Sequence, residues 1–349
     1  MTFERTVSFL LKNACVSIRY LVHRDILKIP VDDPMMQSMQ AEILQQKTAQ
    51  KHLAAQHPDG WLGHELHGGD GMDGHIGALL GLGMETDDPH IQKAIKALLT
   101  PGIAGQHKNW FRGGEALDAD GRGGNRAVIA GILAAARVPE ETPLLADEIK
   151  LAFSHLSGAR PHQSVDDFSV AGAGQRYYRP HAKFPGANHI GLLANTHSWQ
   201  TIENLQTAKA AMTHCWSLMK NEEDITFRKP KEYGGSFVGP FNFNWQALNP
   251  IDMADLHRIA DHQNHFTFGF WLRSLTGLPP WALKTTQPYM LLAELLETDA
   301  LMELVTENAL KGFRHISGIE PYWKNKTAVK CDVTFAVLKA CWPALKNSK

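Results

Sequence analysis

Apolar side chains along this chain recur at helical spacing, in two alternating kinds of segment. Residues 89–99 and 143–156 gather their apolar positions on one face, as an amphipathic helix at a domain surface does. Residues 76–84 and 127–136 are apolar on every side, which is typical of a buried helix. Each buried pattern follows a glycine-rich loop that comes after an amphipathic pattern. The sequence therefore predicts outer helices that alternate with inner helices.

The same two patterns extend to both sides of these segments. Amphipathic residues 34–56 precede the first buried segment, and a third short apolar segment spans residues 189–195. No segment alternates strongly enough to predict a β-strand, and the aromatic, glycine- and proline-rich segment 229–245 predicts a loop packed on the body or over a cavity. Further helices are predicted over residues 16–28, 199–219, 252–275, 286–312 (broken) and 329–343.

Helix-start signals recur at a nearly constant interval. Asp33, Asp88 and Thr142 each precede a proline, and such side chains accept hydrogen bonds from the free N–H groups of a first helical turn. The interval is about 55 residues, and one more step reaches Ser198 as a further candidate cap. A chain of 349 residues holds about six such units. We therefore predict one all-α domain over residues 1–349, an (α/α)6-type toroid of about six helix-pair repeats.

Composition excludes several classes of function. The chain has 35 Lys and Arg against 36 Asp and Glu, so no net field attracts nucleic acid or an anionic membrane. Its longest apolar run, residues 127–136, is far shorter than the roughly 20 residues of a membrane-spanning helix. The N-terminus carries charges where a signal peptide is apolar, and the four cysteines lack CxxC spacing. We expect a cytoplasmic protein with reduced thiols, no stable membrane insertion and a small-molecule partner.

The N-terminal part of the chain resembles a known family. Residues 17–27, the Asp32-Asp33-Pro34 sequence and Gln56-His-Pro-Asp-Gly-Trp61 are similar to bacterial prenyltransferase/squalene-cyclase repeat proteins. The resemblance implies an α/α toroid whose central cavity is walled by the N-terminal ends of the inner helices. In that family QxxxGxW motifs join neighbouring helices, and here the Gln56 segment lacks the spacer before tryptophan.

The catalytic motifs of that superfamily match this chain only in part. In its terpene cyclases a DxDD acid protonates the substrate, and here Asp118-Ala-Asp120-Gly121 stops at two aspartates. Its protein prenyltransferases hold zinc with an Asp-x-Cys pair and a distant histidine, whereas this chain has Cys331-Asp332 in the reverse order. Asp118 and Asp120 remain candidate general acids on a loop at the cavity mouth. The glycines of this loop follow no predicted strand, so we expect no nucleotide binding.

Three histidines and two aspartates stand close together among glycines, before the first buried helix. They are His64, His67, Asp70, Asp73 and His75. Histidine and carboxylate groups are ligands for zinc or iron, so metal binding is one interpretation of the cluster. A second interpretation is that Asp73 caps the helix while the other groups are solvated. A third is a metal-free polar site at the mouth of the cavity.

Polar side chains also recur at equivalent starts of the inner helices. Asp73 and His75 open one such helix, Asn125 and Arg126 the next, and His189 the one after. We predict that they lie near one end of a shared cavity, where the positive ends of the helix dipoles suit an anionic or polyhydroxylated ligand. Asp73 and His75 are the predicted acid–base pair, and the other three are predicted substrate contacts. The alternative is that all of them are ordinary caps.

Two further segments are candidates for ligand contact. Residues 261–273 place His265 and Trp271 on or beside a polar helical stripe, which suits an aromatic-lined pocket or else fills the core. Residues 175–181 carry two arginines that suit a clamp on a carboxylate or phosphate, or else lie solvated.

These observations predict a toroid enzyme that performs acid–base chemistry on an isoprenoid or a polar small molecule. Because no nucleotide-binding motif is present, we expect no organic cofactor, which fits a lyase, transferase or isomerase; a divalent metal is left open. Aromatic cavity walls would favour an isoprenoid since aromatic faces stabilise cations, whereas carboxylates and histidines favour a saccharide. The alternatives are a non-catalytic helical-repeat scaffold and a carbohydrate-active toroid enzyme.

Overall fold

The described part of the chain is mostly helical. The computed structural model describes residues 2–68, 70–104, 107, 114–172, 175–219, 225–226, 275, 280–282, 287–298, 301–304 and 306–346. The helices are α1 (Thr2–Asn13), α2 (Val16–Leu21), α3 (Pro34–Leu44), α4 (Lys47–Leu53), α5 (Met72–Gly81), α6 (Pro89–Leu98), α7 (Pro101–Ala104), α8 (Gly114–Ala119), α9 (Asn125–Ala135), α10 (Pro143–Ser157), α11 (Ala187–Ala194), α12 (Ile202–Met219), α13 (Gln287–Thr298), α14 (Leu301–Leu304), α15 (Glu307–Ser317) and α16 (Lys326–Lys346). A π-helical turn, Val22–Ile26, continues α2, and short 3-10 turns span Val165–Asp167 and Pro280–Ala282.

A small three-stranded sheet interrupts the helices, although the sequence predicted no strand. Its strands are β1 (Ser169–Gly172), β2 (Gln175–Tyr178) and β3 (Ile225–Thr226), in the order β1-β2-β3. The first two pair antiparallel, and β3 lies parallel to β2. The strands are so short that their alternation is hardly distinguishable from a loop, which explains why the sequence pattern missed them.

The arginine-rich segment 175–181 therefore forms β2 and the chain directly after it. Its two arginines fasten the neighbouring turn: Arg176 pairs with the Asp166 carboxylate, and Arg179 Nε donates to the Asp166 carbonyl at 2.9 Å. Both guanidinium groups are thus engaged within the protein. Residues 179–181 are exposed, so the end of this segment is solvated, as one of the two interpretations expects.

Three of the four predicted outer-helix starts are confirmed. Helices α3, α6 and α10 begin at the prolines that follow Asp33, Asp88 and Thr142. The carboxylates of Asp33 and Asp88 each accept a hydrogen bond from the backbone N–H two residues later, at 2.8 Å in both cases. Thr142 makes no side-chain cap, so its helix start relies on the proline and on its dihedral angles.

The fourth predicted start, with Ser198 as its cap, is wrong by three residues, because α12 begins at Ile202. The Glu140 carboxylate accepts the N–H groups of both His197 and Ser198 at 2.7 Å, which holds this stretch as a turn. Thr201 supplies the cap instead, since its hydroxyl accepts the N–H of a residue in the first turn of α12. The predicted helix over 34–56 is likewise divided, into α3 and α4.

A left-handed residue closes the helix that precedes each of α3, α6 and α10. Lys28, Gly83 and Arg137 have positive φ angles of 61°, 98° and 53°, and each lies five residues before the next outer-helix cap. A residue in this conformation closes a helix C-terminus by turning the next N–H groups back onto its last carbonyls. After α5 the Met84 N–H donates to the Leu79 carbonyl, and after α9 the Val138 N–H donates to the Leu133 carbonyl. The repeat is therefore one of backbone geometry as well as of capping residues.

Helices α5, α9 and α11 lie side by side, as the predicted inner layer requires. Helix α9 packs against both α5 and α11, and the outer helix α10 packs against α9, α11 and α12. The C-terminal helix α16 packs against α1, α2 and α13, so the two ends of the described chain meet. Glu320 accepts the backbone N–H of Cys15 at 2.7 Å in this contact. A closed toroid of six units remains a prediction.

Polar side chains link the first two units. Arg24 Nη1 donates to Glu85 Oε1 at 2.7 Å, and the Tyr20 hydroxyl donates to the same carboxylate at 2.6 Å. Gln56 Nε2 donates to the His90 carbonyl at 2.9 Å, at the start of α6. The Gln56 segment therefore joins helices even though its spacing departs from QxxxGxW. No helix in the described ranges is both long and apolar enough to cross a bilayer.

We expect that adding a side chain destabilises the fold at one connector position, whereas removing one at the equivalent position does not. Gly83→Ala should destabilise the fold by about 2 kcal/mol or more, because Gly83 has φ +98° and a Cβ there would lie 2.8 Å from the Tyr20 ring. Arg137→Gly, in the same conformation one unit later, should be neutral or stabilising by at most about 1 kcal/mol. Urea unfolding of both variants measures the difference. Equal stability of Gly83→Ala and the wild type would show that the connector does not need this conformation.

Candidate functional site

The start of α5 is covered by the loop that precedes it. Its N-cap residue is Gly71, which has no side chain to accept the free N–H groups of the first turn. The N–H groups of Met72 and Asp73 donate instead to the carbonyls of Glu65 and Leu66, at 2.8 and 3.2 Å. The loop must therefore fold back over the helix start. This arrangement places the ionisable side chains of the loop next to those of the first helical turn.

His75 lies at the centre of a hydrogen-bonded chain. Its side chain is buried, and its Nε2–H donates to Asp70 Oδ1 at 2.7 Å. Its Nδ1 lies 3.0 Å from Nδ1 of His52, which α4 brings to the same place. Gly63 lets the loop approach this closely, since a Cβ there would lie 2.9 Å from the His75 ring. We refer to Asp70, His75 and His52 as the relay.

The pKa shifts in the relay suit a neutral histidine base next to an ionised carboxylate. Hydrogen bonds from His64 and then from His75 lower the pKa of Asp70, so this carboxylate stays ionised near neutrality. Burial, followed by the proximity of His75 and Lys51, lowers the pKa of His52. His52 is therefore neutral near pH 7. One of its ring nitrogens is free to accept a proton while the other contacts His75.

Asp73 does not pair with His75. Its Oδ2 accepts Nδ1–H of the exposed His67 at 2.6 Å, and its Oδ1 accepts the Gly74 N–H at 2.8 Å. The carboxylate that orients His75 is Asp70, which the sequence analysis placed among possible metal ligands. Asp73 was singled out because it lies on the helix itself, whereas Asp70 reaches His75 only through the fold of the loop.

More histidines extend the cluster away from the relay. His107 Nε2–H donates to Asp59 at 2.9 Å, and the His107 ring stacks on the fully buried Trp61 with centroids 4.5 Å apart. His57 contacts both the His107 and the His64 rings edge to face. Within the residues that the structure describes, no three histidine, cysteine or carboxylate side chains are arranged to hold a metal ion together.

The start of α9 is capped from a neighbouring helix. Its N-cap residue is Gly124, and the Asp118 carboxylate of α8 accepts the Arg126 N–H at 3.2 Å. Burial raises the pKa of Asp118 to about 6, against the lowering effect of that hydrogen bond. The Arg126 side chain is exposed, and its Nε donates to the buried Glu148 of α10 at 2.7 Å. Asn125 Oδ1 is buried with no hydrogen-bond partner in the described structure.

At the start of α11, both ring nitrogens of His189 are hydrogen-bonded to the backbone. The Gly186 N–H donates to its Nδ1 at 3.1 Å, and its Nε2–H donates to the Gly121 carbonyl at 3.1 Å. Both ring nitrogens are used, which fixes a neutral tautomer and leaves none for a ligand. Its ring stacks on His155 of α10, with centroids 4.5 Å apart and planes 10° apart.

A buried arginine completes this second polar layer. Arg122 is 5 % exposed, donates to the Phe184 carbonyl at 2.6 Å and stacks 3.7 Å from the Tyr178 ring centroid. Burial, followed by the charge of Arg122, lowers the pKa of the His155 imidazole to about 4. Both Arg122 and His155 were missed by the sequence analysis, because a lone arginine in a glycine loop and a lone histidine on an amphipathic helix give no distinguishing signal.

The remaining predicted site residues are spread more widely. Asp120 lies 3.6 Å from Nδ1 of His181, within the loop before α9. His265 and Trp271 lie outside the described residues. A cavity of about 570 Å³ lies between α1, the end of the π-helical turn and Trp342, and it is lined by none of the predicted site residues that the structure describes. The shared central cavity therefore remains a prediction.

The Cys331-Asp332 pair is part of the packing of α16. The Asp332 carboxylate accepts the backbone N–H groups of Ile319 and Glu320 and the Trp323 indole N–H, at 2.8, 3.0 and 2.6 Å. Cys331 is buried and free. These three hydrogen bonds give Asp332 a structural role in holding the preceding loop.

Comparison with models of protein families, with curated proteins and with solved structures finds no match to this chain.

We expect the buried His155 to make the fold sensitive to acid. Its folded pKa of about 4 lies below the ordinary value of 6.5, so unfolding takes up a proton between these two pH values. Stability is full above pH 6.5 and is lost as the pH falls towards 4. His155→Phe should reduce the loss of unfolding free energy between about pH 7 and about pH 4.5 by about 2 to 3 kcal/mol. Urea unfolding at both pH values measures this, and the exposed His197→Gln is the matched control. An unchanged acid dependence in His155→Phe would contradict the assignment.

We expect Asp118 to have the opposite effect to His155 on the pH dependence of stability. Its folded pKa of about 6 lies above the ordinary value of 3.8, so its contribution is full below pH 3.8 and is lost as the pH rises through 6. Asp118→Asn keeps the hydrogen-bond acceptor without the charge, and should stabilise the protein at pH 7 by on the order of 1 kcal/mol after solvent screening. Asp118→Ala should instead cost about 1 kcal/mol because the start of α9 loses its cap. Thermal melts of the pair at pH 5 and pH 7 distinguish the two contributions, and a lower stability of Asp118→Asn at pH 7 would refute this account.

Proposed function

We propose that this protein is an enzyme that performs acid–base chemistry on a small molecule at the N-terminal end of α5. The observation that carries the proposal is the relay, in which the Asp70 carboxylate orients a buried imidazole whose other nitrogen meets His52. A cap alone does not require these groups, because the first N–H groups of α5 are already satisfied by backbone carbonyls. An oriented imidazole beside a carboxylate is the usual arrangement of a general base.

In this proposal His52 is the catalytic residue that touches the substrate. Its Nε2 takes a proton from the substrate, and its Nδ1–H passes to Nδ1 of His75. His75 then carries the positive charge, and the ionised Asp70 stabilises that charge through the Nε2–H hydrogen bond. The reverse transfer returns a proton to the product. His75 and Asp70 are positioning residues that act through His52.

The substrate class is proposed from the chemistry of the side chains at this end of α5. The nearby groups are histidines and carboxylates, and the aromatic Trp61 is fully buried under His107. Such surroundings favour a substrate with hydroxyl or carbonyl groups over a hydrocarbon cation. The family resemblance supports an isoprenoid as the alternative substrate. A polar small molecule is the first choice.

The proposal predicts solvent hydrogen exchange that depends on the relay. The full chain is incubated in deuterated buffer with a panel of neutral oligosaccharides, sugar acids and prenyl diphosphates, and deuterium in recovered compounds is measured by mass spectrometry. We expect incorporation or conversion with the wild type. His52→Gln and His75→Gln should each lower the rate by about 100-fold or more, because a positioned acid–base group contributes that much.

Asp73→Asn is the matched control for Asp70→Asn, since both carboxylates accept a histidine N–H. We expect Asp70→Asn to lose most of the activity and Asp73→Asn to keep it, with thermal melts confirming that both fold. Equal activity in His52→Gln, His75→Gln and the wild type would rule out the relay as the catalytic group.

A further inference from the structure

The two ring nitrogens at the centre of the relay face each other without a carboxylate between them. His52 Nδ1 and His75 Nδ1 are 3.0 Å apart, with the ring planes at 76°. Only one proton can lie between two such atoms, so at least one presents a lone pair to the other. A pair of imidazole nitrogens at this separation is also close to the spacing that a metal ion imposes.

The spacing can be compared with that of a tetrahedral metal centre. Zinc–nitrogen bonds are about 2.0 to 2.1 Å, so two imidazole ligands at a tetrahedral angle have nitrogen atoms about 3.3 Å apart. The observed 3.0 Å is shorter by only a few tenths of an ångström. His52 is only half-buried, so its ring can rotate and, once its proton is on Nε2, direct the Nδ1 lone pair towards a point between the two rings.

The second ring nitrogen of His75 is already held in the way that metal-binding histidines are. Asp70 Oδ1 accepts its Nε2–H at 2.7 Å, which fixes the ring orientation and directs the Nδ1 lone pair at His52. Histidine ligands of metals almost always donate their other N–H to a carboxylate or carbonyl. Asp70 also places a negative charge on the far side of the ring, which favours a cation at Nδ1.

We propose that His52 and His75 bind one divalent transition-metal ion of the zinc, cobalt or nickel type through their Nδ1 atoms, with Asp70 orienting His75. No third protein donor converges on this point among the described residues, so the remaining coordination positions take water or a bound small molecule. When both rings are neutral, His52 moves its proton from Nδ1 to Nε2 and no proton is released.

The metal site goes beyond the proposed function and is tested without a substrate. If the acid–base role also holds, an ion at this position interrupts proton transfer between His52 and His75 and therefore inhibits. The two proposals can then be refuted independently, because the acid–base role is measured by hydrogen exchange into a substrate and the metal site by metal binding.

The test is a titration of the chelator-treated full chain with cobalt and with zinc, followed by calorimetry and by nitrogen NMR of labelled histidine. We expect one ion per chain and a shift of two Nδ1 resonances. His52→Gln and His75→Gln should each abolish this binding, and Asp70→Asn should weaken it about 10- to 100-fold. Melts in the absence of metal confirm folding, and His52→Gln is the decisive variant because its side chain is only half-buried.

Exposed histidines nearby provide the matched controls. His64 and His67 also donate Nδ1–H to carboxylates, but both lie on the surface, outside the His52–His75 contact. His64→Gln and His67→Gln should leave the stoichiometry unchanged. Binding that survives in His52→Gln but disappears in the His64 or His67 variants would overturn the assignment, as would the absence of any binding at about 1 mM zinc.

Discussion

The backbone N–H groups at the starts of the inner helices set the strongest constraint on this structure. The outer helices α3 and α6 satisfy theirs with the aspartates that precede a proline, at the surface. The inner helices α5, α9 and α11 begin instead at Gly71, Gly124 and Gly186, which offer no side chain. Buried N–H groups without partners are costly, so other parts of the chain must cover these starts.

Each of these three helix starts is capped in a different way, and this determines which polar side chains contact one another there. At α5 the loop supplies backbone carbonyls, which leaves Asp70 free to orient His75. At α9 a carboxylate from α8 does the capping, so Asp118 has a structural task, and its burial at this helix start raises its pKa. At α11 the side chain of His189 closes onto the Gly186 N–H.

Local signals in the sequence account for the parts of the fold that depend on neighbouring residues. The outer-helix starts after Asp33 and Asp88, and the buried character of α9, follow from capping and from helical periodicity. Contacts between distant segments could not be predicted in this way. The Glu140 carboxylate that displaces the start of α12 lies 58 residues from Ser198. The approach of His52 to His75 depends equally on how α4 packs against α5.

The two histidine pairs differ in their burial and in their hydrogen bonds, and this difference separates a structural role from a functional one. His155 and His189 stack in the core beside Arg122, where burial holds both neutral and both nitrogens of His189 are bonded within the protein. His52 and His75 meet at a half-buried edge, where a carboxylate holds one ring and the other keeps a nitrogen without a partner in the described structure. A pair that is buried and stacked in the core, as His155 and His189 are, stabilises one conformation. A pair that leaves a lone pair at an accessible edge keeps the capacity to exchange protons or ligands, and this makes the start of α5 the better candidate for chemistry.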